Sequence, residues 1–351
     1  MLLLVSAFAF AAPSALSEAT AITAGQSHSC ALVHGVPWCW GGATRAEVKA
    51  GTWSSRRTPT RVDVAGPVVS LSAGGAGRTC AVTVDQRVHC WGLQEDPVVV
   101  LGVRATQVDV GLGHTCAVGP AGVTCWGSNS HGQLGTGDIE AKDQPVVLAL
   151  ENPVQVAAGG THSCARLASG QVQCWGSNAH GQLGSEPLGP KGVAPRPAMW
   201  VQDAVAVAAG SFHTCIVRTD GGVLCVGDNL DGQLGDGSRR PSATPVLPKG
   251  VVDVVQIDAG FGHTCATRRD GAVYCWGASE AGQIGSPDTS DQLLPGYVRG
   301  LVDAVSVTVG QQHTCVLREV GPHCMGGNRA SQLGDGTDES RRTLAPVGPA
   351  N

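Results

Sequence analysis

The chain has 351 residues, a formal net charge of −5 and a charged fraction of 15%. The charges are spread without blocks, which excludes the basic stripe typical of nucleic-acid-binding proteins. Its 50 glycines suit the many turns of an all-β protein. Beyond the first residues, no segment is long and apolar enough to cross a membrane.

The N-terminus predicts export. An apolar run from Leu2 to Ala12 has the length of a signal-peptide core and is too short to span a bilayer. Small residues suited to cleavage lie at Ala9, Ala11 and Ser17. No basic residue precedes the run, the first being Arg45, so a buried N-terminal strand is the alternative. We predict a signal peptide over residues 1–18 and one domain over residues 19–351.

Fourteen cysteines fall into seven pairs that recur along the chain. The pairs are Cys30 with Cys39, Cys80 with Cys90, Cys116 with Cys125, Cys164 with Cys174, Cys215 with Cys225, Cys265 with Cys275, and Cys315 with Cys324. The first cysteines of successive pairs lie 50, 36, 48, 51, 50 and 50 residues apart. A period near fifty indicates a repeat architecture, in which one supersecondary unit is copied along the chain.

Each repeat carries the pattern of four antiparallel strands. In the sixth repeat, apolar residues alternate at Val255, Ile257 and Ala259, as in a half-buried strand. A His-Thr-Cys strand, a turn at Arg269–Gly271 and a strand ending in Cys-Trp-Gly follow. A Pro-Val stretch, such as Pro245–Leu247 in the fifth repeat, supplies the fourth strand. We therefore predict an all-β fold, a seven-bladed β-propeller of four-stranded antiparallel blades.

The cysteine spacing predicts one disulfide within each blade. Cysteines nine or ten residues apart, with turn residues midway, come opposite each other on adjacent antiparallel strands. Free buried thiols and zinc ligands are the alternatives, but the zinc spacing C-x-x-C occurs nowhere in the chain. Because disulfides persist in oxidising compartments, we expect a secreted, periplasmic or cell-surface protein.

The repeat also resembles a known family. The string AG-x-x-H-S/T-C, followed by G-x-V-x-C-W-G and G-Q-L-G, is similar to the regulator of chromosome condensation repeat, in its secreted, cysteine-bearing bacterial form. Five repeats keep the last segment, at His131, His180, Asp231, Ala281 and Ala330. The first two repeats lack it, which leaves their outer strands undefined. The resemblance implies a seven-bladed propeller and no particular activity, because that scaffold hosts unrelated functions; kelch repeats are the minor alternative.

Two further residue types recur in register. Histidine stands two residues before the first cysteine in six repeats, and Arg78 replaces it in the second. Because each histidine belongs to a different blade, we interpret them as clasps that hydrogen-bond backbone in the tight turn and not as metal ligands. Tryptophan follows the second cysteine at Trp40, Trp91, Trp126, Trp175 and Trp276, and we expect these side chains to pack between blades. The aspartates of 228–237 resemble a calcium loop but lack its terminal glutamate. We predict no metal and no cofactor.

Function is expected where the repeats differ. The turn between strands 1 and 2 and the loop between strands 3 and 4 emerge on one face of a meander, and that face carries the variation. Aromatic residues that the repeat does not require are candidate anchors for a partner. The candidate binding residues are Phe212, Phe261, Gln311, Gln312 and Trp53. The alternative for the phenylalanines is that they cap the channel or fill a gap.

The prominent polar residues recur as scaffold, so the sequence offers no catalytic group. We therefore expect a monomeric, non-enzymatic propeller that binds a protein or glycan of the cell envelope or exterior, and no nucleic acid. One alternative is a polysaccharide-active propeller enzyme, which would need clustered carboxylates in a cleft. The family resemblance implies another, guanine-nucleotide exchange on a small GTPase, but such a partner is cytoplasmic and the disulfides disfavour that location.

Overall fold

A computed structural model describes residues 16–42, 56–92, 95–185, 191–197 and 201–348. Strands β1 to β28 form seven four-stranded sheets, and each sheet consists of four consecutive strands in chain order. The strands of blades 1 to 3 are Ala19–Ala24, His28–Val33, Val36–Gly41, Arg56–Arg61; Val68–Ala73, Thr79–Thr83, Arg87–Trp91, Val98–Arg104; Gln107–Val110, His114–Gly119, Gly122–Gly127 and Lys142–Leu148.

The strands of blades 4 to 7 are Pro153–Ala158, His162–Leu167, Val172–Ser177, Lys191–Pro197; Ala204–Ala209, His213–Arg218, Val223–Gly227, Ser242–Val246; Val254–Ala259, His263–Arg268, Val273–Gly277, Gln292–Tyr297; Ala304–Val309, His313–Arg318, Gly321–Gly326 and Arg341–Pro346. Two short 3₁₀ turns accompany them, Leu16–Glu18 and Gly75–Gly77. The predicted seven-bladed propeller is confirmed. Blades 1 and 2, whose outer strands the sequence left undefined, are completed by Arg56–Arg61 and Val98–Arg104.

A disulfide joins the second and third strands of every blade, and the two cysteines of each bridge are direct partners in the hairpin register. Their Cα atoms lie 4.1 to 4.2 Å apart in all seven bridges. That separation is near the value for the closely spaced, non-hydrogen-bonded positions of an antiparallel ladder.

The predicted pairing is confirmed in every blade. From blade 1 to blade 7 the bridges are Cys30 to Cys39, Cys80 to Cys90, Cys116 to Cys125, Cys164 to Cys174, Cys215 to Cys225, Cys265 to Cys275, and Cys315 to Cys324. All fourteen cysteines are therefore paired within their own hairpins, and the alternatives of free thiols and zinc ligands do not apply.

The hydrophobic core lies between the blades. In three blades the leucine of the GQLG segment is buried against the tryptophan of the next blade, as Leu234 is against Trp276. In two others the apolar residue at this position packs against Val226 or Met325. The indole Nε1 of Trp276 donates to the carbonyl of Gln233 at 2.8 Å, and Trp40 and Trp175 make equivalent bonds across their own blade boundaries. Gly235 must be a glycine, because its φ is +71° and a Cβ would lie 2.9 Å from the Trp276 Nε1. The tryptophans pack between blades, as predicted.

The six repeated histidines also join neighbouring blades, and here the sequence interpretation was wrong. Each Nε2 lies 2.7 to 2.9 Å from a serine or threonine hydroxyl of the next blade, not from backbone of its own turn. The pairs are His28 with Thr79, His114 with Ser163, His162 with Thr214, His213 with Thr264, His263 with Thr314, and His313 with Ser29. All six rings are buried, and burial lowers their pKa values from 6.5 to about 3 or 4. They are neutral connectors of the ring.

The boundary between blades 2 and 3 departs from this arrangement. Arg78 stands where the histidine would be, and its blade lacks the GQLG segment whose glutamine carbonyl accepts the same hydroxyl elsewhere. Thr115, the hydroxyl residue of blade 3, is fully buried. Within the described part of the chain, its Oγ1 has no hydrogen-bond partner.

Blade 7 closes the ring against blade 1. The amide of Ala24 donates to the Thr308 hydroxyl at 3.1 Å, and the amide of Gln311 donates to the Gly25 carbonyl at 3.2 Å. Leu16 is buried at this boundary beside Val347, so the two ends of the described chain are neighbours, as expected. No helix among the described residues is long and apolar enough to cross a membrane.

Candidate recognition face

The turns between strands 1 and 2 form the rim of the central channel on one face. In blade 5 the turn is fixed on both sides: the Gly210 amide donates to the His213 carbonyl at 2.9 Å, and the Ser211 amide donates to the Gly260 carbonyl of blade 6 at 2.9 Å. A Cβ on Gly210 would collide with the His213 ring and with the Gly260 carbonyl. Gly210 lets the two blades approach closely. The hydrogen bonds on either side hold the backbone at the turn residue after Ser211, Phe212, in place.

Phe212 and Phe261 meet on this face. Their ring centroids lie 5.8 Å apart with an interplanar angle of 77°, an edge-to-face pair across the boundary between blades 5 and 6. Phe261 is 42% exposed, and Phe212 is half-buried. His180, from the GQLG segment of blade 4, extends the cluster, since its ring centroid is 5.2 Å from that of Phe212. The prediction that the two phenylalanines lie on adjacent blades and face the same way is confirmed.

The remaining candidate residues are placed differently. Gln311 lines the channel mouth together with Phe261 and Leu112. Gln312 is exposed one residue further along its turn. Trp53 lies outside the described residues. The structure therefore brings Phe212, Phe261 and Gln311 to one rim and leaves the role of each as a proposal.

Sequence reasoning did not select three residues of this face as binding candidates, although Leu112 occupies the same turn position as Phe261. Leu112 is 38% exposed at the channel mouth, directly after the glycine of its turn. His180 and Asp228 lie beside Phe212, the latter donating its amide to the Phe212 carbonyl at 2.9 Å. One signal could have found His180: the residue before GQLG varies among histidine, aspartate and alanine.

Two half-buried carboxylates line the channel itself. Asp109 Oδ2 accepts the amide of Ala158 at 2.7 Å, and Asp258 Oδ2 accepts the amide of Val309 at 2.8 Å, each across a blade boundary. Burial raises the pKa of Asp258 to about 7 and raises that of Asp109, although these amide bonds act in the opposite direction. Their geometry makes them connectors between inner strands. Among the described residues, no group of three or more histidine, cysteine, aspartate or glutamate side chains is arranged to hold a metal ion.

A match to a protein-family model identifies the family of this chain. The model for the RCC1-like domain matches residues 94–349. The chain belongs to the RCC1-like domain family. An RCC1-like propeller is consistent with a scaffold or a regulator.

RCC1-like relatives have diverse names. The chain is 30% identical over 248 residues to the ultraviolet-B receptor UVR8 of Arabidopsis thaliana, covering 62% of this chain and 54% of the receptor. It is 31% identical over 194 residues to the human probable E3 ubiquitin-protein ligase HERC6, covering 48% of this chain and 19% of that protein. The chain thus spans about half the length of UVR8 and about a fifth of HERC6.

Two solved structures share the fold. Human WBSCR16 superposes with a TM-score of 0.77 at 21% identity, covering 89% of this chain and 93% of that one. Yeast RCC1 (Prp20), solved bound to Kap60, gives a TM-score of 0.77 at 20% identity, covering 90% of this chain and 83% of that one. At these identities the likeness concerns the fold alone.

Proposed function

We propose that this protein is a non-catalytic propeller that binds a macromolecular partner through the channel rim of blades 5 and 6. The observation that supports this is the edge-to-face pair of Phe212 and Phe261, of which Phe261 is exposed. Other blades fill the same turn positions with small or polar residues, apart from Leu112. Aromatic side chains in an exposed cluster are the residue type that most often dominates an interface.

The family supports binding as the type of function. One solved relative is yeast RCC1 in complex with Kap60, and another structure of the yeast protein is described by its binding to Gsp1p and histones. We transfer from these proteins only the use of the propeller as a binding scaffold, and none of the named partners.

We further propose that the protein works outside the cytoplasm, on a protein or glycan of the cell envelope or exterior. Seven disulfides are typical of an oxidising compartment. The apolar run at residues 2–12 supports export and lies outside the described residues. Cell fractionation followed by N-terminal sequencing tests this part: a protein that stays in the cytoplasm and retains the run would contradict it.

Binding through the rim is tested by replacing Phe212 and Phe261 with alanine, singly and together. The oxidised protein is coupled to a photo-crosslinker and incubated with native envelope and medium fractions. We expect each variant to lose the partner that the wild type captures, with affinity lowered about 30-fold, as removing a central aromatic anchor costs about 2 kcal/mol.

Val320→Ala is the matched control. Val320 is 62% exposed in the turn between strands 2 and 3 of blade 7, on the opposite face. This variant should capture the partner as the wild type does. If the phenylalanine double variant captures the partner as well as the wild type does, the rim is not the binding site. A large fall in the thermal midpoint of that variant would show that the aromatic pair is core packing and that the alternative interpretation, a filled gap, is correct.

A further inference from the structure

The aromatic pair is flanked by carboxylates. Asp228 lies beside Phe212, because its amide donates to the Phe212 carbonyl. Its Oδ1 lies 3.9 Å from Nδ1 of His180. Asp231 lies beside the turn that carries the other phenylalanine, since its Oδ2 is 2.5 Å from the position that a Cβ on Gly262, the residue after Phe261, would take. Two acidic side chains of one GQLG loop therefore border the two turns that carry the aromatic rings.

Of the two aspartates, Asp231 has fewer hydrogen bonds to its carboxylate. In the described part of the chain its carboxylate accepts no hydrogen bond, whereas Asp228 accepts bonds from the amide of Asn229 and from Gln233. The side chain is half-buried. Burial, together with the negative charges of Asp291, Asp228 and Glu280, raises the pKa of Asp231. The ionised form of such a carboxylate is stabilised when a cation is placed beside it.

The nearby cation is already engaged. Arg239 binds the Asp291 carboxylate through both terminal nitrogens at 3.0 Å. It also donates to the Leu230 carbonyl. Four carboxylates, those of Asp228, Asp231, Glu280 and Asp291, thus face one guanidinium in this region. The rim of blades 5 and 6 carries an excess of negative charge around an exposed aromatic surface.

This combination fits one side chain in particular. A guanidinium is planar, stacks on aromatic faces and forms forked hydrogen bonds to a carboxylate, while an ammonium ion does neither as well. We propose that the rim of blades 5 and 6 binds an arginine-bearing segment of a protein partner, with the guanidinium beside Phe261 and Asp231. The inference rests on the proposed function and narrows it, since it selects a basic protein segment over a glycan.

The test uses labelled twelve-residue peptides in which arginine, lysine or glutamate alternates with glycine and serine. Binding to the full, oxidised protein is followed by fluorescence anisotropy at low and high salt. We expect the arginine peptide to bind, the lysine peptide to bind about tenfold more weakly, and the glutamate peptide not to bind. Binding should weaken as salt screens the charges.

The variants Asp231→Asn and Phe261→Ala should each bind the arginine peptide at least tenfold more weakly than the wild type does. Asp231→Asn preserves shape, so it remains informative if the phenylalanine variant is unstable. Glu319→Gln is the control, because Glu319 is exposed on the opposite face. This substitution removes one negative charge, as Asp231→Asn does. It should bind the peptide as the wild type does.

Two results would overturn the inference in distinguishable ways. If the arginine peptide shows no preference, or an envelope oligosaccharide binds instead and is lost in Phe261→Ala, the partner is not a basic segment, yet the proposed binding face stands. If the phenylalanine variants retain the native partner, the proposed function fails and the inference fails with it.

Discussion

At the scale of single residues, hydroxyl groups between blades depend on what the preceding blade supplies. Thr264 bonds to His213 at 2.8 Å and to the Gln233 carbonyl at 2.9 Å, both from blade 5. Thr115 meets neither kind of partner, because blade 2 carries Arg78 and lacks GQLG. A buried hydroxyl without a partner lowers stability by its desolvation cost.

This contrast predicts opposite effects of one substitution. Thr115→Val replaces the unpaired hydroxyl with a methyl group of similar size and should raise the free energy of unfolding by about 1 kcal/mol. Thr264→Val leaves the His213 Nε2 unpaired and removes one of the two hydrogen bonds that the Gln233 carbonyl accepts, the other being from Trp276. It should lower the free energy of unfolding by about 1 to 3 kcal/mol. Denaturant titration of both variants measures the two signs. Destabilisation of equal size in both would mean that Thr115 is hydrogen-bonded in solution.

The residue scale is also where sequence reasoning reached its limit. The histidines were visible as a repeated feature, but their hydroxyl partners lie 49 to 52 residues away along the chain, or 284 across the closure. A pattern within one repeat cannot identify a contact with the next. The phenylalanines were found because they break the repeat, whereas their contact geometry depends on two different turn positions.

At the scale of secondary-structure elements, the hairpin of strands 2 and 3 was predictable because it is local. Period-two alternation defines the inward face, and cysteines nine or ten residues apart define the register, as Cys215 and Cys225 do in blade 5. The outer strands were less certain because the loops before them vary in length. Val98–Arg104 pairs with its neighbour through a large irregularity between Arg87 and His89, which no periodic pattern would have indicated.

Removing one disulfide should weaken the array without unfolding it. The double variant Cys265→Ala, Cys275→Ala opens a loop of sequence separation 10 and should lower the free energy of unfolding by about 2 to 3 kcal/mol. Neighbouring blades still cover the hairpin on both sides. Calorimetry of oxidised protein measures the change, and peptide mapping without reduction checks that the other six bridges form within their own blades.

The last strand is expected to contribute to closure. Deletion of residues 345–351 removes the residue paired with Cys324 and the buried Val347 at the boundary with blade 1. Thermal and denaturant midpoints should fall, and hydrogen exchange in blades 3 to 5 should change little. Val347→Ala, which only trims the buried side chain, should produce a smaller shift. Unchanged midpoints in the deletion variant would mean that these residues do not hold the ring closed.

At the scale of the whole molecule, the six neutral histidines predict a steep dependence of stability on pH. Their pKa values fall from 6.5 to about 3 or 4 on folding, so the unfolded chain binds more protons between these limits. Stability from the histidines is present above pH 6.5 and is lost as the pH falls. Asp258 and Asp109, whose pKa values are raised, act in the opposite direction from about pH 4 upwards.

The histidines outnumber the two carboxylates, so their effect dominates. With Asp258 set against the six histidines, a net uptake of about four to five protons on unfolding corresponds to a slope of about 6 kcal/mol per pH unit near pH 5.5, and Asp109 makes this slope smaller. Urea titrations between pH 7.5 and 5 measure this slope. His213→Asn should reduce it by about 1.4 kcal/mol per pH unit. A free energy of unfolding that stays constant over this range would contradict the buried, neutral state of the ring histidines.

The disulfide hairpins have a consequence for how the molecule is made. Each bridge joins residues nine or ten apart, and among the described strands no blade combines the two ends of the chain. In an oxidising compartment each hairpin can therefore be oxidised as soon as it emerges, before the next pair of thiols has appeared. Fourteen thiols need never be present together, so the large number of wrong pairings open to a fully reduced chain is avoided by the order of synthesis.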